Sequence, residues 1–357
     1  MKLLKKKNCS GCGACYDVCP MQAIKMKRDY EGFLYPHIAK NLCIECGKCQ
    51  TVCPMEDMKC VISDNQYLGA KTIWDNERTT SSSGGIFPIL AQYILKKDGI
   101  VYGAAFQKNF VLKHQGIEDE EGLQLLKETK YVQSDMRGIY KEICREIEKG
   151  RTVLFSGTPC QCEALRKFLG IIPENLLLVS LVCYGVPSPG IWEKYVHTLE
   201  KEHQGKLKRF SFRDKRDGDC GHTVSYSIEN QEYVSKLNDN PYLKLYFRNY
   251  IIRPACFQCP FTTVHRQFDF TIGDFWGIER VNPDFEDGMG TSIVIAHSEK
   301  AKHIFEILSK EMKYFLCEKR QIMQPRLCEP TARPQKKKLF MLLYHFLPFK
   351  IVCKLLH

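Results

Sequence analysis

The sequence lacks any apolar run close to the roughly 20 residues that a membrane-spanning helix needs. The first residues, MKLLKKKNCSG, are basic but contain no apolar segment typical of a signal peptide. We therefore expect a cytoplasmic protein, in a compartment where thiols stay reduced. The 19 cysteines of the chain then indicate metal binding or catalysis rather than a disulfide framework.

The sequence also lacks a basic helix or an aromatic-interleaved basic motif, so no nucleic-acid binding is predicted. The formal net charge is nevertheless +11, and two interpretations remain open. The excess is either an ordinary solvated surface or a means of attracting acidic partners, such as phosphate-bearing cofactors or an acidic electron carrier. With 357 residues, 44% of them hydrophobic, the chain is long enough for two domains with a substantial core.

Two cysteine runs, CSGCGACYDVCP (9–20) and CIECGKCQTVCP (43–54), repeat each other at an offset of 34 residues. Both have the spacing C-x2-C-x2-C-x3-C-P that bacterial two-cluster ferredoxins use. Three closely spaced thiolates bind three irons of one cubane, whereas the fourth cysteine of each run crosses to the other cluster. Zinc sites prefer two CxxC pairs, so the repeat predicts two [4Fe–4S] clusters.

The crossing pattern also predicts which cysteines share a cluster. A cluster pair this close together serves to move electrons one at a time, and a purely structural role is the alternative. The predicted ligands, first cluster and then second, are Cys9, Cys12, Cys15 and Cys53, followed by Cys43, Cys46, Cys49 and Cys19.

After Cys60 the pattern alternates between strand-like and helix-like segments. IVYGAAF (100–106) is typical of a strand, and IYKEICREIEKG (139–150) of a helix with a glycine at its end. The segments 151–170 and 175–203 each read as strand, turn and helix. This alternation predicts an α/β core with partly parallel strands. The predicted fold class is therefore α+β with α/β elements, in which a bacterial-type dicluster ferredoxin module precedes an α/β domain.

A third group of cysteines lies in this second domain. Cys160 follows the buried strand TVLFSG, and Cys183 ends the next buried strand, LLLVSLVC. If these strands are parallel neighbours, both thiols lie at the same edge of the sheet, where Cys256 and Cys259 would complete four ligands. Cys162 is the rival fourth ligand. The alternative for Cys160 and Cys183 is that they are small buried hydrophobic residues.

Three amide-rich or polar segments are candidate parts of a binding site. SSSGG (81–85) precedes a helix and would cradle a phosphate, because free amides and the helix dipole favour anions, although a flexible cap has the same sequence. SGTPCQ (156–161) is a second amide-rich helix start. In TIGDFWG (271–277), Asp274 is a candidate base or cofactor contact and Trp276 a candidate cover for a flat ring, unless they serve as core or cap.

Together these segments resemble the family of the coenzyme F420-reducing hydrogenase beta subunit and its formate-dehydrogenase relatives, preceded by a two-cluster ferredoxin module. Two departures are visible: Tyr184 stands where many relatives have histidine, and SSSGG replaces a threonine-containing loop of some members. The matching motifs are SSGGIF (82–87), KYVQSDM (130–136), LFSGTPCQ (154–161), LVCYGVPSP (181–189), FRDK (212–215), CFQCPF (256–261) and IGDFWG (272–277).

The resemblance implies that the second domain binds FAD and carries a third [4Fe–4S] cluster beside the flavin. The implied ligands of that cluster are Cys160, Cys183, Cys256 and Cys259. The implied FAD contacts are Ser82, Ser83, Gly84, Gly85, Lys130, Gln133, Ser134 and Thr158.

The function that the resemblance implies follows from these cofactors, because a flavin takes up two electrons as a hydride and can release them singly. We expect an FAD-dependent iron–sulfur oxidoreductase that links a hydride-carrying substrate, such as a coenzyme F420-like deazaflavin, to one-electron carriers. Its expected partners are that small molecule and ferredoxin or a redox partner subunit. Two alternatives stay open: a ferredoxin-dependent reductase of an organic substrate, and a non-catalytic electron-transfer subunit of a larger complex.

The C-terminal segment KKKLFMLLYHFLPFKIVCKLL (336–356) is apolar with basic flanks. It could dock a partner or lie on a membrane surface, but we favour a terminal helix packed on the body. The predicted domains are 1–62 (ferredoxin), 63–330 (FAD and [4Fe–4S]) and 331–357 (basic amphipathic tail). The cysteines interpreted as structural or surface thiols are Cys60, Cys144, Cys162, Cys220, Cys317, Cys328 and Cys353.

Overall fold

The structure is a computed structural model that describes residues 3–56, 64–216 and 222–355. Two of the predicted structural thiols, Cys60 and Cys220, lie outside the described residues. The predicted boundary between residues 62 and 63 lies outside them as well, so the division into domains stays a prediction.

The strands of the described residues form a two-stranded, a three-stranded and an eight-stranded sheet. Their bounds are β1 Ile24–Arg28, β2 Leu34–Ile38, β3 Gln66–Thr72, β4 Ile100–Phe106, β5 Leu112–Ile117, β6 Val153–Gly157, β7 Leu176–Leu181, β8 Leu207–Asp214, β9 Thr223–Ile228, β10 Gln231–Lys236, β11 Phe270–Asp274, β12 Ser292–Ala296 and β13 Met312–Cys317.

The α-helices vary from single turns to about four turns. Their bounds are α1 Ala14–Val18, α2 Lys48–Thr51, α3 Asp75–Thr79, α4 Ile86–Leu95, α5 Glu120–Leu126, α6 Ile139–Glu148, α7 Pro159–Leu169, α8 Pro189–Glu202, α9 Pro241–Phe247, α10 Ile278–Val281, α11 Glu299–Leu308, α12 Lys319–Ile322, α13 Pro325–Cys328, α14 Lys337–Phe346 and α15 Phe349–Leu355.

The two cysteine runs form a small module around the antiparallel hairpin β1–β2. In each run a glycine precedes the short helix, and both glycines are in the left-handed conformation, Gly13 at φ 82° and Gly47 at φ 77°. Glycine adopts this conformation at little cost because it has no Cβ. The chain can therefore wrap tightly between the second and third cysteine of each run.

The large sheet has the order β13-β3-β12-β11-β7-β6-β4-β5. Its four central strands, β11, β7, β6 and β4, are parallel, and the strands outside them are antiparallel to their neighbours. In particular β6 and β7 are parallel neighbours, with Val153 opposite Leu176. The sheet and the preceding module confirm the predicted α+β class with α/β elements.

Side chains of the central strands enter two different cores, because they alternate across a strand. Leu154 of β6 belongs to the core that α4 and α11 cover. Phe155, the next residue, belongs to the opposite core, which α6 and α7 cover. Both faces of the sheet are thus buried, which explains the nearly continuous apolar sequence of β6 and β7.

A third core joins the β8–β10 sheet to α8, α9 and the C-terminal helices. It is rich in aromatic contacts; the Trp192 ring makes edge-to-face contacts with Phe210 at 4.9 Å and with Tyr242 at 5.1 Å. Phe340 and Tyr344 of α14 and Phe349 of α15 are buried in it. The preferred interpretation of the tail, a terminal helix packed on the body, is therefore correct for its described part. No helix among the described residues is long and apolar enough to cross a membrane.

Candidate functional site

The first predicted cysteine set surrounds a small cavity in the N-terminal module. Cys9, Cys12, Cys15 and Cys53 all line it. Cys15 interacts electrostatically with Cys9 and Cys53, and Cys12 interacts with Cys53. Burial and then repulsion by these neighbours raise the pKa of Cys15, because several thiolates at one place repel each other. The fourth cysteine of the second run thus lies with the first three of the first run.

The second predicted set lines another small cavity of the same module, formed by Cys19, Cys43, Cys46 and Cys49. Burial raises the pKa of Cys49, and Cys46, Cys19 and Cys43 add to the effect. Cys46 is exposed, so this set lies at the molecular surface. Thiols are the donors in both sets, and four thiolates are what an iron–sulfur cubane takes.

The third predicted set lies beyond the carboxyl ends of β6 and β7. Cys160 is in the first turn of α7, and Cys183 follows β7. Cys183 interacts electrostatically with Cys160 and Cys259, and Cys256 with all three. Burial, with the neighbouring sulfurs adding to it, raises the pKa of Cys183 to about 12 and that of Cys259 to about 11. The structure therefore brings these four thiols together.

The rival ligand Cys162 has a different environment. Its side chain is fully buried in the core against β6 and β7. Its Sγ lies 3.8 Å from the carbonyl oxygen of Gly157 and 3.7 Å from that of Val179. These contacts fit a structural thiol, as the sequence pattern indicates. No group of three or more Cys, His, Asp or Glu side chains in the described ranges is placed to hold a single metal ion.

The three sets follow one another in space. Cys15 of the first set interacts electrostatically with Cys49 of the second, and Cys12 of the first interacts with Cys160 of the third. The first set therefore lies between the exposed second set and the third set inside the body.

The N-terminal module is attached to the body by buried hydrogen bonds. The carboxylate of Asp17 accepts from the amides of Gly138 and Tyr140 at 2.8 and 3.1 Å. Tyr140 donates its hydroxyl to the carbonyl oxygen of Cys12 at 2.9 Å. Lys167 of α7 donates to the carbonyl oxygen of Cys53 at 3.0 Å. These contacts fix the first cysteine set relative to helices α6 and α7, and thus relative to the third set.

A cavity of about 310 Å³ lies beside the third set. Its wall includes the carboxyl ends of β7 and β11 and the turns that precede α4 and α7. Tyr131, Tyr184 and Trp276 line part of this wall with aromatic rings. Predicted FAD contacts that line the cavity are Ser82, Ser83, Gly85, Lys130, Ser134 and Thr158.

Two predicted FAD contacts, Gly84 and Gln133, are not among the lining residues. Gly84 packs against the sheet, where a Cβ would lie 2.5 Å from the carbonyl oxygen of Ala70. Gln133 points to the N-terminal module and donates to the carbonyl oxygen of Ser10 at 2.8 Å. Motif matching does not separate such supporting residues from lining residues, because both belong to the same short segments.

A hydrogen-bond network fixes the turn that carries Cys160. The Gln161 side chain accepts from the amide of Thr158 at 2.9 Å and donates to the hydroxyl of Ser134 at 3.0 Å. The Thr158 hydroxyl oxygen lies 3.2 Å from Cys160 Sγ. The KYVQSDM and SGTPCQ motifs are thus parts of one wall, which joins the cavity to the third cysteine set.

The cavity wall contains buried polar atoms without a hydrogen-bond partner among the described residues. They are the hydroxyl of Ser81 and Nδ1 of His114. His114 Nε2 lies 3.0 Å from the carbonyl oxygen of Ser156, so this nitrogen carries the proton and Nδ1 is an acceptor. Burial lowers the pKa of His114 to about 4. Since unpaired buried polar atoms are costly, these atoms favour a polar ligand in the cavity.

Several lining residues were not predicted from the sequence, among them Tyr131, His114 and Arg213. Arg213 Nη1 donates to Asp274 at 2.5 Å, which makes Asp274 an ion-pair partner at the cavity wall. Tyr131 and Arg213 lie inside the KYVQSDM and FRDK motifs, so the motifs could have indicated them. His114 has no such signal, because it lies on β5, far from every motif in the sequence.

Comparisons with known protein families match two segments of the chain. The family model for the C-terminal part of the coenzyme F420 hydrogenase/dehydrogenase beta subunit matches residues 150–320, and the model for a 4Fe-4S dicluster domain matches residues 8–56. A chain of the xenon-derivatized F420-reducing [NiFe] hydrogenase complex from Methanosarcina barkeri is 17% identical with a TM-score of 0.48, over 83% of this chain and 89% of that chain. No curated protein sequence matches the chain. The resemblance predicted from the motifs is confirmed for these two segments: residues 150–320 match the coenzyme F420 hydrogenase/dehydrogenase beta-subunit family, and residues 8–56 match a 4Fe-4S dicluster domain.

Proposed function

We propose that this chain is an iron–sulfur flavoprotein oxidoreductase. It passes electrons between a hydride carrier at FAD, such as a coenzyme F420-like deazaflavin, and one-electron carriers, through three [4Fe–4S] clusters. The observation that carries the proposal is the position of Cys183, which belongs to the third cysteine set and also lines the large cavity. A redox group in that cavity would therefore lie next to the third cluster.

The walls of the cavity fit FAD. The turns before α4 and α7 present serine and threonine side chains and helix N-termini, which favour phosphate groups. Lys130 and Arg213 supply positive charge, and Trp276 and Tyr184 supply flat apolar surface. When bound, FAD takes up or gives a hydride as two electrons and exchanges them singly with cubanes.

The residues of the chain have separable roles in this proposal. Ser82 accepts from the amide of Thr129 at 2.6 Å, and Ser83 donates to the carbonyl oxygen of Thr291 at 3.0 Å. These bonds hold the SSSGG loop against the cavity, so that its remaining polar groups would be available to the phosphates of FAD. The Arg213–Asp274 pair lies at the same cavity and would orient the substrate beside the flavin.

The order of the cysteine sets suggests where a one-electron partner binds. The second set is nearest the surface, with Cys46 and the neighbouring Ile44 exposed. The third set lies at the cavity, and the first set joins the two. A ferredoxin or redox subunit would therefore exchange electrons at the second set, which is the farthest of the three sets from the proposed flavin.

The proposal is tested by anaerobic isolation followed by reduction. The chain should hold about twelve irons and one FAD, and adding reduced deazaflavin coenzyme should rapidly bleach the flavin and cluster absorbance. Reduction by ferredoxin but not by the deazaflavin would instead support the alternative of a ferredoxin-dependent reductase of an organic substrate. Reduction by neither, together with a lack of flavin, would leave only an electron-transfer subunit and refute the proposed enzyme.

Two matched Cys→Ser variants test the ligands of the third cluster in the same experiment. Cys256→Ser removes a proposed ligand of the third cluster and should lower the iron content to about eight per chain. Cys162→Ser changes the rival thiol and should leave about twelve irons. The opposite pattern would assign the ligand to Cys162, and eight irons in the unaltered chain would refute the third cluster.

A further inference from the structure

The described part of the chain buries four arginine side chains, and they differ in their partners. Arg78 forms a two-point ion pair with Asp287, with N···O distances of 2.7 and 2.6 Å. Arg253, Arg266 and Arg326 have no carboxylate within ion-pair distance among the described residues. Burying a guanidinium without a negative partner is strongly unfavourable. The charge of these three arginines therefore requires compensation from another source.

All three arginines lie beside the proposed cluster ligands. Arg266 interacts electrostatically with Cys259 and Cys183, and Arg326 interacts with Cys259. Arg253 interacts with Cys160 of the third set. Its Nη2 also lies 3.9 Å from Sγ of Cys9, in the first set. The amide of Cys256, in the third set, donates to the backbone carbonyl oxygen of Arg253 at 3.0 Å. Arg253 is thus the one of the three that adjoins two sets.

The guanidinium of Arg253 is held in a single position. Nε donates to the carbonyl oxygen of Cys9 at 2.7 Å, Nη1 to the Gln133 side chain at 2.8 Å and Nη2 to the carbonyl oxygen of Leu34 at 2.9 Å. It also lies over the ring of Tyr35, 4.2 Å from the centroid. All its close oxygen acceptors are neutral, so they orient the cation without cancelling its charge.

The neighbouring backbone makes room for this group. A Cβ on Gly11 would lie 2.5 Å from Cζ of Arg253, well inside van der Waals contact. Gly11 also has a φ of 71°, a backbone conformation that residues other than glycine rarely adopt. The second residue after Cys9 is thus a glycine for a specific reason: the cysteine run passes directly over the guanidinium.

We propose that Arg253 is the shared counter-ion of the first and third cluster sites. A thiolate-ligated cubane carries roughly two negative charges when oxidised and one more when reduced, so a fixed cation beside it stabilises the reduced form. Arg253 would raise the reduction potentials of both sites and offset the repulsion between two anionic clusters. This inference rests on the proposed function, because it takes both cysteine sets as cluster ligands.

The test is a redox titration of three arginine variants, isolated anaerobically with their clusters. Iron is counted, and the clusters are titrated with dithionite and mediators while electron paramagnetic resonance records each signal. Cys256→Ser identifies the signal of the third site, and Cys46→Ser that of the second. In Arg253→Met the equilibrium constants for reduction should fall about tenfold at both the first and third sites, which is about 59 mV for one electron.

Arg266→Met is the matched control, because the third set is the one cysteine set with which Arg266 interacts electrostatically. It should shift the third signal alone. Arg253→Lys keeps the charge and should retain the iron content and potentials close to those of the unaltered chain. Unchanged potentials in an iron-replete Arg253→Met would overturn the proposal.

Loss of iron from the Arg253 variants also tests the counter-ion role. If Arg253→Met loses iron and Arg253→Lys keeps it, the charge is required, which supports the counter-ion. If both variants lose iron, the fixed hydrogen-bond geometry rather than the charge matters, and the counter-ion is refuted. Eight irons in the unaltered chain would refute the third site of the proposed function, while the shift at the first site would still be measured.

Discussion

Lys130 shows at the residue scale how the cavity changes the chemistry of one side chain. Lys130 lines the cavity, and its Nζ donates to the carbonyl oxygen of Lys127 and, at 3.2 Å, to that of Glu128. Desolvation lowers the pKa of Lys130 to about 8, although the Glu128 carboxylate opposes the shift. The ammonium is therefore charged at neutral pH but loses its proton within the range in which a protein remains folded.

This pKa predicts a pH dependence of flavin binding. If FAD binds as proposed, protonated Lys130 would attract its phosphates, whereas the neutral amine would not, so the affinity should be full below about pH 8 and fall as the pH rises through that value. The change is measured as the fluorescence of flavin released on dilution, at one pH unit below and one pH unit above the pKa. Lys130→Met should bind more weakly and without this step. Lys113→Met, an exposed lysine on β5, should retain the step, and a step that survives in Lys130→Met would contradict the prediction.

Single residues also differ in how far the sequence indicates them. Cysteine is informative because its spacing matches the geometry of a cubane, and the structure gathers Cys9, Cys12 and Cys15 as the spacing indicates. Arg253 has no such pattern. A buried cation is recognised only when its neighbours are known, since in most sequences arginine lies at the surface.

At the scale of elements, the C-terminal helices α14 and α15 have a sequence that suits either a membrane surface or a protein core. Phe340 is fully buried and stacks on Tyr250 at 5.3 Å, whereas Phe346 on the same helix is 78% exposed. The helix therefore has one face in the aromatic core and another at the surface.

This difference predicts contrasting effects of two identical substitutions. Phe340→Ala should destabilise the chain by about 3–5 kcal/mol, because it removes a large side chain from a packed core. Phe346→Ala should change the free energy of unfolding by less than about 0.5 kcal/mol. Apparent midpoints of urea unfolding measure both. Equal effects would mean that α14 does not pack on the body as described.

At the scale of the whole molecule, electron transfer depends on the position of the N-terminal module relative to the large sheet. Asp17 of this module accepts the first free amides of α6, so it acts as an N-cap supplied by a distant part of the chain. Since Asp17 is buried, its loss would leave those amides without a partner or water.

We therefore predict that Asp17→Ala loosens the module on the body. Losing a cap and leaving donors unpaired costs about 1–3 kcal/mol, so amide exchange at the start of α6 should become at least about fivefold faster. Hydrogen–deuterium exchange of peptides from this region measures the effect. Asp119→Ala removes the equivalent cap of α5, where Asp119 accepts from Gly122 at 2.7 Å, and should leave α6 unchanged. Unaltered exchange in Asp17→Ala would contradict this role.

The sequence by itself determined the features that depend on local spacing and local patterning. The two cysteine runs indicated a dicluster module, because a cubane needs thiolates at short, fixed intervals. Alternating strand and helix patterns indicated the α/β core, and bounds such as 100–106 for β4 are those expected from the sequence. Seven short motifs indicated the family.

The tertiary structure decided the features that depend on distant contacts. It placed Cys183 of the third cysteine set at the cavity wall, separated Gly84 and Gln133 from the cavity, and showed that Arg253 joins two sets. None of these has a local signal, because each arises where residues from separate segments meet. Charge compensation and burial depend on these tertiary contacts, which exist only in the folded chain.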